Sequence, residues 1–177
     1  MNNVYAEVRN RATLIFPVKG RKVVLGKKRS KVCAGYLNGY GGKVEEGESI
    51  HECAMREFTE ETGGAVIIPH FLNCVGVLYV RNHDAEGKVI YECDVYTYLV
   101  YMWDGGIVST PEMEDPALYS FEDLGEQNIT IHDKVWMPEI LENGKRVRVH
   151  LDFESDGKTL RDLVRLDFIS RDSKNLY

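Results

Sequence analysis

In the stretch REFTEETGG (residues 56–64), three carboxylates, Glu57, Glu60 and Glu61, stand within five positions behind Arg56. Facing water, they would make an ordinary solvated acidic helix. Facing inward, they would need a positive partner, because carboxylates crowded together and partly desolvated cost several kcal/mol each unless paired or bound to metal. Stepping round a helix at about 100° per residue from Ile50 puts Cys53 at about −60° and Ala54 at about +40°, which marks the apolar face. On the same count Glu57 falls at about −20°, Glu61 at about +20°, Glu60 at about −80° and Phe58 at about +80°, while Glu52, Met55, Thr59 and Thr62 take the outward face. The buried stripe thus starts apolar and turns acidic. Arg56 can offset Glu60 at i+4 but not all three charges. Oxygen-only ligands of this kind suit a hard divalent cation, Mg²⁺ or Mn²⁺.

The helix carrying these groups has legible ends. Ser49 followed by Glu52 is a capping box, and Gly63-Gly64 can supply the left-handed residue that ends a helix, so the pattern predicts a helix over residues 50–62. Before it runs Asn38-Gly39-Tyr40-Gly41-Gly42-Lys43, whose glycines let a backbone approach a ligand closely. A glycine loop alone is only a turn. Feeding a carboxylate-bearing helix, it points to a site.

The rest of the chain must position that pair of elements. ATLIFPV and KVVLG read as strands joined by a hairpin turn. AVIIP reads as a strand. CVGVLYV and VIYECDVYTYLVYMW read as a long hairpin, and STPEMEDP as a turn-rich loop before the strand-like ALYSF. DKVWMPEILENG has helical spacing, VRVHLDF reads as a strand, and TLRDLVRLDF as a strand or a helix. Many strands with two main helices predict an α+β fold: a mixed β-sheet sandwiched between helices, in a single domain over residues 1–177.

Composition narrows the function. The 177 residues carry a net charge of −6, the wrong sign for the broad basic surface of a duplex binder, though a bound metal can reverse the sign of a local site. Cys33, Cys53, Cys74 and Cys93 form no CxxC pair, so they are expected as reduced core thiols in a cytoplasmic protein. There is no signal-peptide layout. The longest apolar run falls short of the roughly 18 residues of a membrane helix. Neither a membrane nor a stable nucleic-acid complex is expected, a small anionic substrate is compatible, and the expected state is a monomer or homodimer.

The stretch GKVEEGESIHECAMREFTEETGG resembles the Nudix box: glycine, five residues, glutamate, seven residues, Arg-Glu, an apolar residue, any residue, Glu-Glu, any residue, glycine, then an apolar residue. Gly42, Glu48, Arg56, Glu57, Phe58, Glu60, Glu61 and Gly63 fall in register, and Gly64 departs at the final apolar place. VLGKKR, LNGYGGKVEEGE and WMP extend the resemblance to MutT-type triphosphatases that hydrolyse oxidised purine nucleotides. The resemblance implies a Nudix fold and the following roles. Glu57 and Glu61 would be metal ligands with the Gly41 carbonyl, and Glu60 a further ligand or a base acting through water. Arg56 and Glu48 would form the salt bridge that orients the helix. Glu112, with Glu114 close behind, would complete the site. Lys28 would contact substrate, Asn38 the base, and Asp133 and Trp136 would line the purine pocket. His132-Asp133 stands where many relatives have two aspartates, Thr130 where they have tryptophan, and an extra residue falls around residues 31–33. Trp136 is equally at home in a core, Asp133 as a helix cap, Asn38 in a turn.

The implied activity is Mg²⁺-dependent hydrolysis of a nucleoside diphosphate linked to another group, first of all an 8-oxo-dGTP-like triphosphate. Alternatives are another Nudix substrate (ADP-ribose, a dinucleoside polyphosphate, an RNA 5′ end) or a non-catalytic nucleotide-binding regulator.

Overall fold

A computed structural model describes residues 9–30 and 33–170. In chain order the elements are β1 (Asn10–Lys19), β2 (Lys22–Lys28), β3 (Leu37–Asn38), α1 (Ile50–Glu61), β4 (Val66–Ile67), β5 (Leu72–His83), β6 (Val89–Val100), β7 (Trp103–Asp104), β8 (Met113–Ser120), α2 (Asp133–Leu141), β9 (Arg146–Phe153) and β10 (Arg165–Ile169). The main sheet runs β10-β9-β5-β6-β1-β2-β3, with β8 on β2. It is mixed: β1 lies parallel to β6 and β5 parallel to β9, while the other pairs are antiparallel.

Alternation along the strands sends side chains to two faces. On one face Ile15, Tyr98 and Val100 pack with Ala54 and Phe58 of α1. On the other Phe16, Leu78, Leu99, Val147 and Val149 pack with Trp136, Met137 and Ile140 of α2. The sheet therefore lies between helices, as the pattern predicts.

β1 and β2 pair only next to their turn, at Val18↔Val23 and Lys19↔Lys22. Beyond that the glycine loop takes the place beside β1. Ile15 and Tyr40 exchange backbone hydrogen bonds of 2.6 and 2.9 Å, and the Thr13 N–H donates to the Gly42 carbonyl at 2.9 Å. The loop is thus fixed as a strand-like edge rather than left as a free turn.

Four expectations need correction. STPEMEDP is not all loop: β8 begins at Met113 and runs through Pro116. Proline is tolerated there because β8 pairs only with β2, and the register slips opposite Gly26, where Asp115 has φ 46; edges and bulges are where proline fits a sheet. In the last segment only Arg165–Ile169 is strand. Thr62, placed outward by helical arithmetic, is fully buried; the chain leaves the helix at Gly63, and the Thr62 hydroxyl turns back to donate to the Phe58 carbonyl and accept from the Ala65 N–H. Of the four free cysteines, Cys53 and Cys93 are core thiols, whereas Cys33 and Cys74 are half-buried. The extra residue expected around residues 31–33 falls largely outside the described residues.

Candidate active site

Helix α1 is closed at both ends as its sequence requires. Ser49 accepts the Glu52 N–H and Glu52 accepts the Ser49 N–H, the reciprocal capping box. At the far end the Gly64 N–H returns to the Thr59 carbonyl and the Gly63 N–H to that of Glu60, the bond pattern of a Schellman motif, with Gly63 at φ 75. Between these stops Cys53, Ala54, Phe58 and Glu61 are buried.

The two inward glutamates meet the glycine loop. Glu61, 3 % exposed, accepts the Gly41 N–H on Oε2 at 2.7 Å and the Lys28 ammonium on Oε1 at 2.8 Å. Glu57 lies over Gly42 so closely that a Cβ there would stand 2.4 Å from Oε1, and a Cβ on Gly41 would stand 2.1 Å from the Thr13 carbonyl oxygen. These two glycines let the loop lie between β1 and the carboxylates. Burial lifts the Glu57 carboxyl above its ordinary range, and the bond from Arg56 only partly opposes the lift.

Arg56 sits among the acids. Its Nε and Nη2 donate to Glu48 at 2.8 and 3.0 Å, Nη2 also to the Lys43 carbonyl, and Nη1 to Glu57 at 2.9 Å and Glu60 at 3.2 Å. The Arg56 bonds hold the Glu48 carboxyl down at about 2. Arg56 thus engages both carboxylates expected of it, Glu48 and Glu60, and Glu57 besides. Glu60, at about −80° on the edge of the stripe, has its side chain 60 % exposed.

The other expected residues divide. Lys28 ends β2 opposite Met113, so Glu112 enters beside it, its carbonyl accepting the Arg29 N–H at 3.0 Å. Glu114 pairs with Arg29 at 2.8 Å. Asn38, on β3, accepts the Gly39 N–H. Asp133, 5 % exposed, opens α2. It accepts the Thr130 hydroxyl at 2.5 Å and the Trp136 indole N–H at 3.0 Å, with His132 Nε2 at 3.6 Å. Burial pushes its carboxyl above the ordinary range, against the pull of His132, Thr130 and Trp136. Trp136, expected as a pocket wall, is fully buried against Phe16. No ring face is open to a base, and its indole N–H braces Asp133 instead. The Lys28–Glu61 pair and the Thr130–Asp133 bond were not foreseen; only the inward turn of Lys28 between exposed Lys27 and Arg29 hints at the first.

Among the described residues no three His, Cys, Asp or Glu side chains form a ready metal cage. What is present still fits a divalent cation. Two desolvated carboxylates lie against successive glycines, Glu61 on the Gly41 N–H and Glu57 over Gly42, and Mg²⁺ is commonly held by one or two carboxylates, keeping waters and substrate phosphates for its remaining positions. A shallow cleft of about 630 Å³ beside α2 is lined by Ile131, Val135 and residues 160–164 and contains none of these glutamates.

The chain resembles known proteins over most of its length. It is 28% identical to the oxidized purine nucleoside triphosphate hydrolase of Mus musculus over 153 residues, 86% of this chain and 92% of that one. It is 36% identical to the ADP-ribose pyrophosphatase of Methanocaldococcus jannaschii over 72 residues, 41% of each. Its fold superposes on the crystal structure of a MutT protein from Bacillus halodurans with a TM-score of 0.76 at 26% identity, covering 89% of this chain and 97% of that one. The NUDIX domain model matches residues 8–140, a span that holds the glycine loop, α1 and the whole carboxylate set, and so the chain belongs to the Nudix family and is one of its pyrophosphohydrolases.

Proposed function

We propose that this chain, acting as one domain, hydrolyses a nucleoside diphosphate linked to a further group, and that the favoured substrate is an oxidised purine nucleoside triphosphate of the 8-oxo-dGTP kind, cut to monophosphate and pyrophosphate. The observation that carries this reading is the approach of Glu61 to the Gly41 N–H and of Glu57 to Gly42, the next residue, with Lys28 on Glu61. The long match to the mouse enzyme supports the substrate class.

Glu57, Glu61 and the Gly41 carbonyl would hold Mg²⁺, with Mn²⁺ as a substitute. When bound, such a cation neutralises phosphate charge and makes a water more acidic. The protein's own part is positioning and charge, since phosphoryl transfer asks for little covalent help. Lys28 holds a phosphate oxygen. Glu112 takes the proton of the attacking water, and solvent-facing Glu60 is the alternative acceptor. The water oxygen bonds to phosphorus as the bridging P–O bond breaks, its electron pair leaving with pyrophosphate. Arg56 and Glu48 hold α1 against the loop. Asn38 and Asp133 meet the base, and Trp136 fixes Asp133 from behind. The free thiols suit a cytoplasmic setting, and no helix among the described residues is long and apolar enough to cross a membrane.

One observation favours a second reading. With Trp136 buried and Thr130 beside Asp133, the start of α2 offers no open ring from these positions to stack on a purine. A Nudix substrate selected by its phosphate chain and second group rather than by its base, such as ADP-ribose, a dinucleoside polyphosphate or an RNA 5′ end, then becomes the competitor.

Turnover of normal and oxidised purine triphosphates, ADP-ribose, a dinucleoside tetraphosphate and 5′-triphosphorylated RNA with Mg²⁺ separates the readings by kcat/KM and by product. A flat profile, or a preference for ADP-ribose, removes the oxidised-purine assignment. Glu57→Gln and Glu61→Gln should each lower turnover by about 10²–10³-fold, the scale of losing one preorganised electrostatic group, with the fold kept. Near wild-type turnover in both would sink the mechanism. Tight nucleotide binding without turnover in either Mg²⁺ or Mn²⁺ would make the protein a regulator instead.

A further inference from the structure

The carboxylates of the site are neutralised from within, by two cations held very differently. Arg56 is pinned: Nε and Nη2 go to Glu48, Nη2 also to the Lys43 carbonyl, and Nη1 to Glu57 and Glu60. Moving it would break the whole set. Lys28 rests on one acceptor among the described residues, Glu61 Oε1 at 2.8 Å, with its side chain 12 % exposed. Its ammonium rides on a flexible four-carbon stem. The other Glu61 oxygen is held by a backbone group, the Gly41 N–H at 2.7 Å, which stays where the loop's pairing with β1 puts it.

From this asymmetry we propose that Lys28 is an exchangeable counter-cation: it occupies Glu61 until a divalent metal arrives, and is then displaced towards the phosphates. The proposal rests on the reading above that Glu61 is a metal ligand. A metal at Oε1 would bring like charge against the ammonium in a site shielded from water, where charges repel strongly. Lys28 must leave, and Arg56 cannot. The displaced ammonium stays tethered at the end of β2, beside Glu112. Loading the metal therefore frees the very lysine that grips substrate, and metal binds before nucleotide.

Mn²⁺ binding, followed by electron paramagnetic resonance on the full chain, tests this. Lys28→Met removes the competitor, so Mn²⁺ should bind about 5- to 100-fold tighter, the usual range of coupling between sites. Glu61→Gln should weaken Mn²⁺. If Glu61→Gln weakens it and Lys28→Met leaves it unchanged, the exchange is wrong and the metal reading stands. If Glu61→Gln has no effect, both fall. A second measurement needs no variant: labelling of Lys28 by an amine-reactive ester, read by mass spectrometry, should rise severalfold when Mg²⁺ is added. Unchanged labelling overturns the exchange.

Discussion

Among the described residues two carboxylates are almost wholly buried, Glu61 at 3 % and Asp133 at 5 % exposed, and the protein satisfies them in opposite ways. Glu61 receives a full positive charge from Lys28 and a backbone N–H from Gly41. Asp133 receives neutral donors, the Thr130 hydroxyl and the Trp136 indole, with His132 farther off at 3.6 Å. Around Glu61 the α1 region sets an acid against a full cation, although burial raises the neighbouring Glu57 carboxyl too. The α2 region holds an acid whose charge burial disfavours, the kind of group that reads donors and acceptors on an uncharged base. A single site can thus keep its phosphate end and its base end electrostatically distinct.

The largest break in that comparison comes from Arg56→Ala. It strands Glu57, whose side chain is only 15 % exposed, and frees Glu48 and Glu60. Losing one partner of a buried pair costs about 3 kcal/mol, which for a chain of this size lowers Tm by about 6–12 °C. A melt in EDTA and in Mg²⁺ checks both parts: Mg²⁺ should recover part of the loss, because a cation replaces a cation. Thr130→Val, at the neutral region, should show no such recovery.

Titration sharpens the contrast, because Glu48 beside Arg56 and Asp133 in its neutral setting should run in opposite directions. The Glu48 carboxyl sits at about 2 against an ordinary 4.5. Its contribution is present above 4.5 and lost as pH falls towards 2. The Asp133 carboxyl lies above its ordinary 3.8. Its contribution is present below 3.8 and lost as pH rises through its raised value, at no more than about 1.4 kcal/mol per pH unit. Urea unfolding across pH for wild type, Glu48→Gln and Asp133→Asn measures this. The gap between wild type and Glu48→Gln should close on acidification, and the gap to Asp133→Asn should close as pH rises above 3.8. Gaps closing in the same direction would dissolve the distinction.

How much of this was legible in the sequence follows the range of the interactions. The caps of α1, the acidic turn of its stripe and the register of the box are local patterns, and they stand in the structure. The errors begin where local arithmetic meets tertiary geometry. Thr62 follows the exit of the helix, not its azimuth. Pro116 argued against a strand whose edge position and bulge tolerate it. Trp136 carried an expectation from resemblance that its packing against Phe16 denies. Lys28–Glu61 joins residues 33 apart through β2 and α1, and no periodicity connects them.

The smallest effect probes the scaffold that both regions rely on. Ser49→Ala removes the hydroxyl that accepts the Glu52 N–H at 3.2 Å and keeps the reciprocal bond, whose donor is the backbone N–H of residue 49. Loss of such a cap costs about 1 kcal/mol, or about 2–4 °C in Tm. Ser49 lies at the opposite end of α1 from Glu61, so a cap that only anchors the helix should leave kcat/KM and Mn²⁺ affinity unchanged while the melt shifts. A drop in Mn²⁺ affinity as large as that of Glu61→Gln would mean that the start of the helix, and not only the glycine loop, sets the carboxylate geometry, and the contrast between charged and neutral regions would have to include the whole of α1.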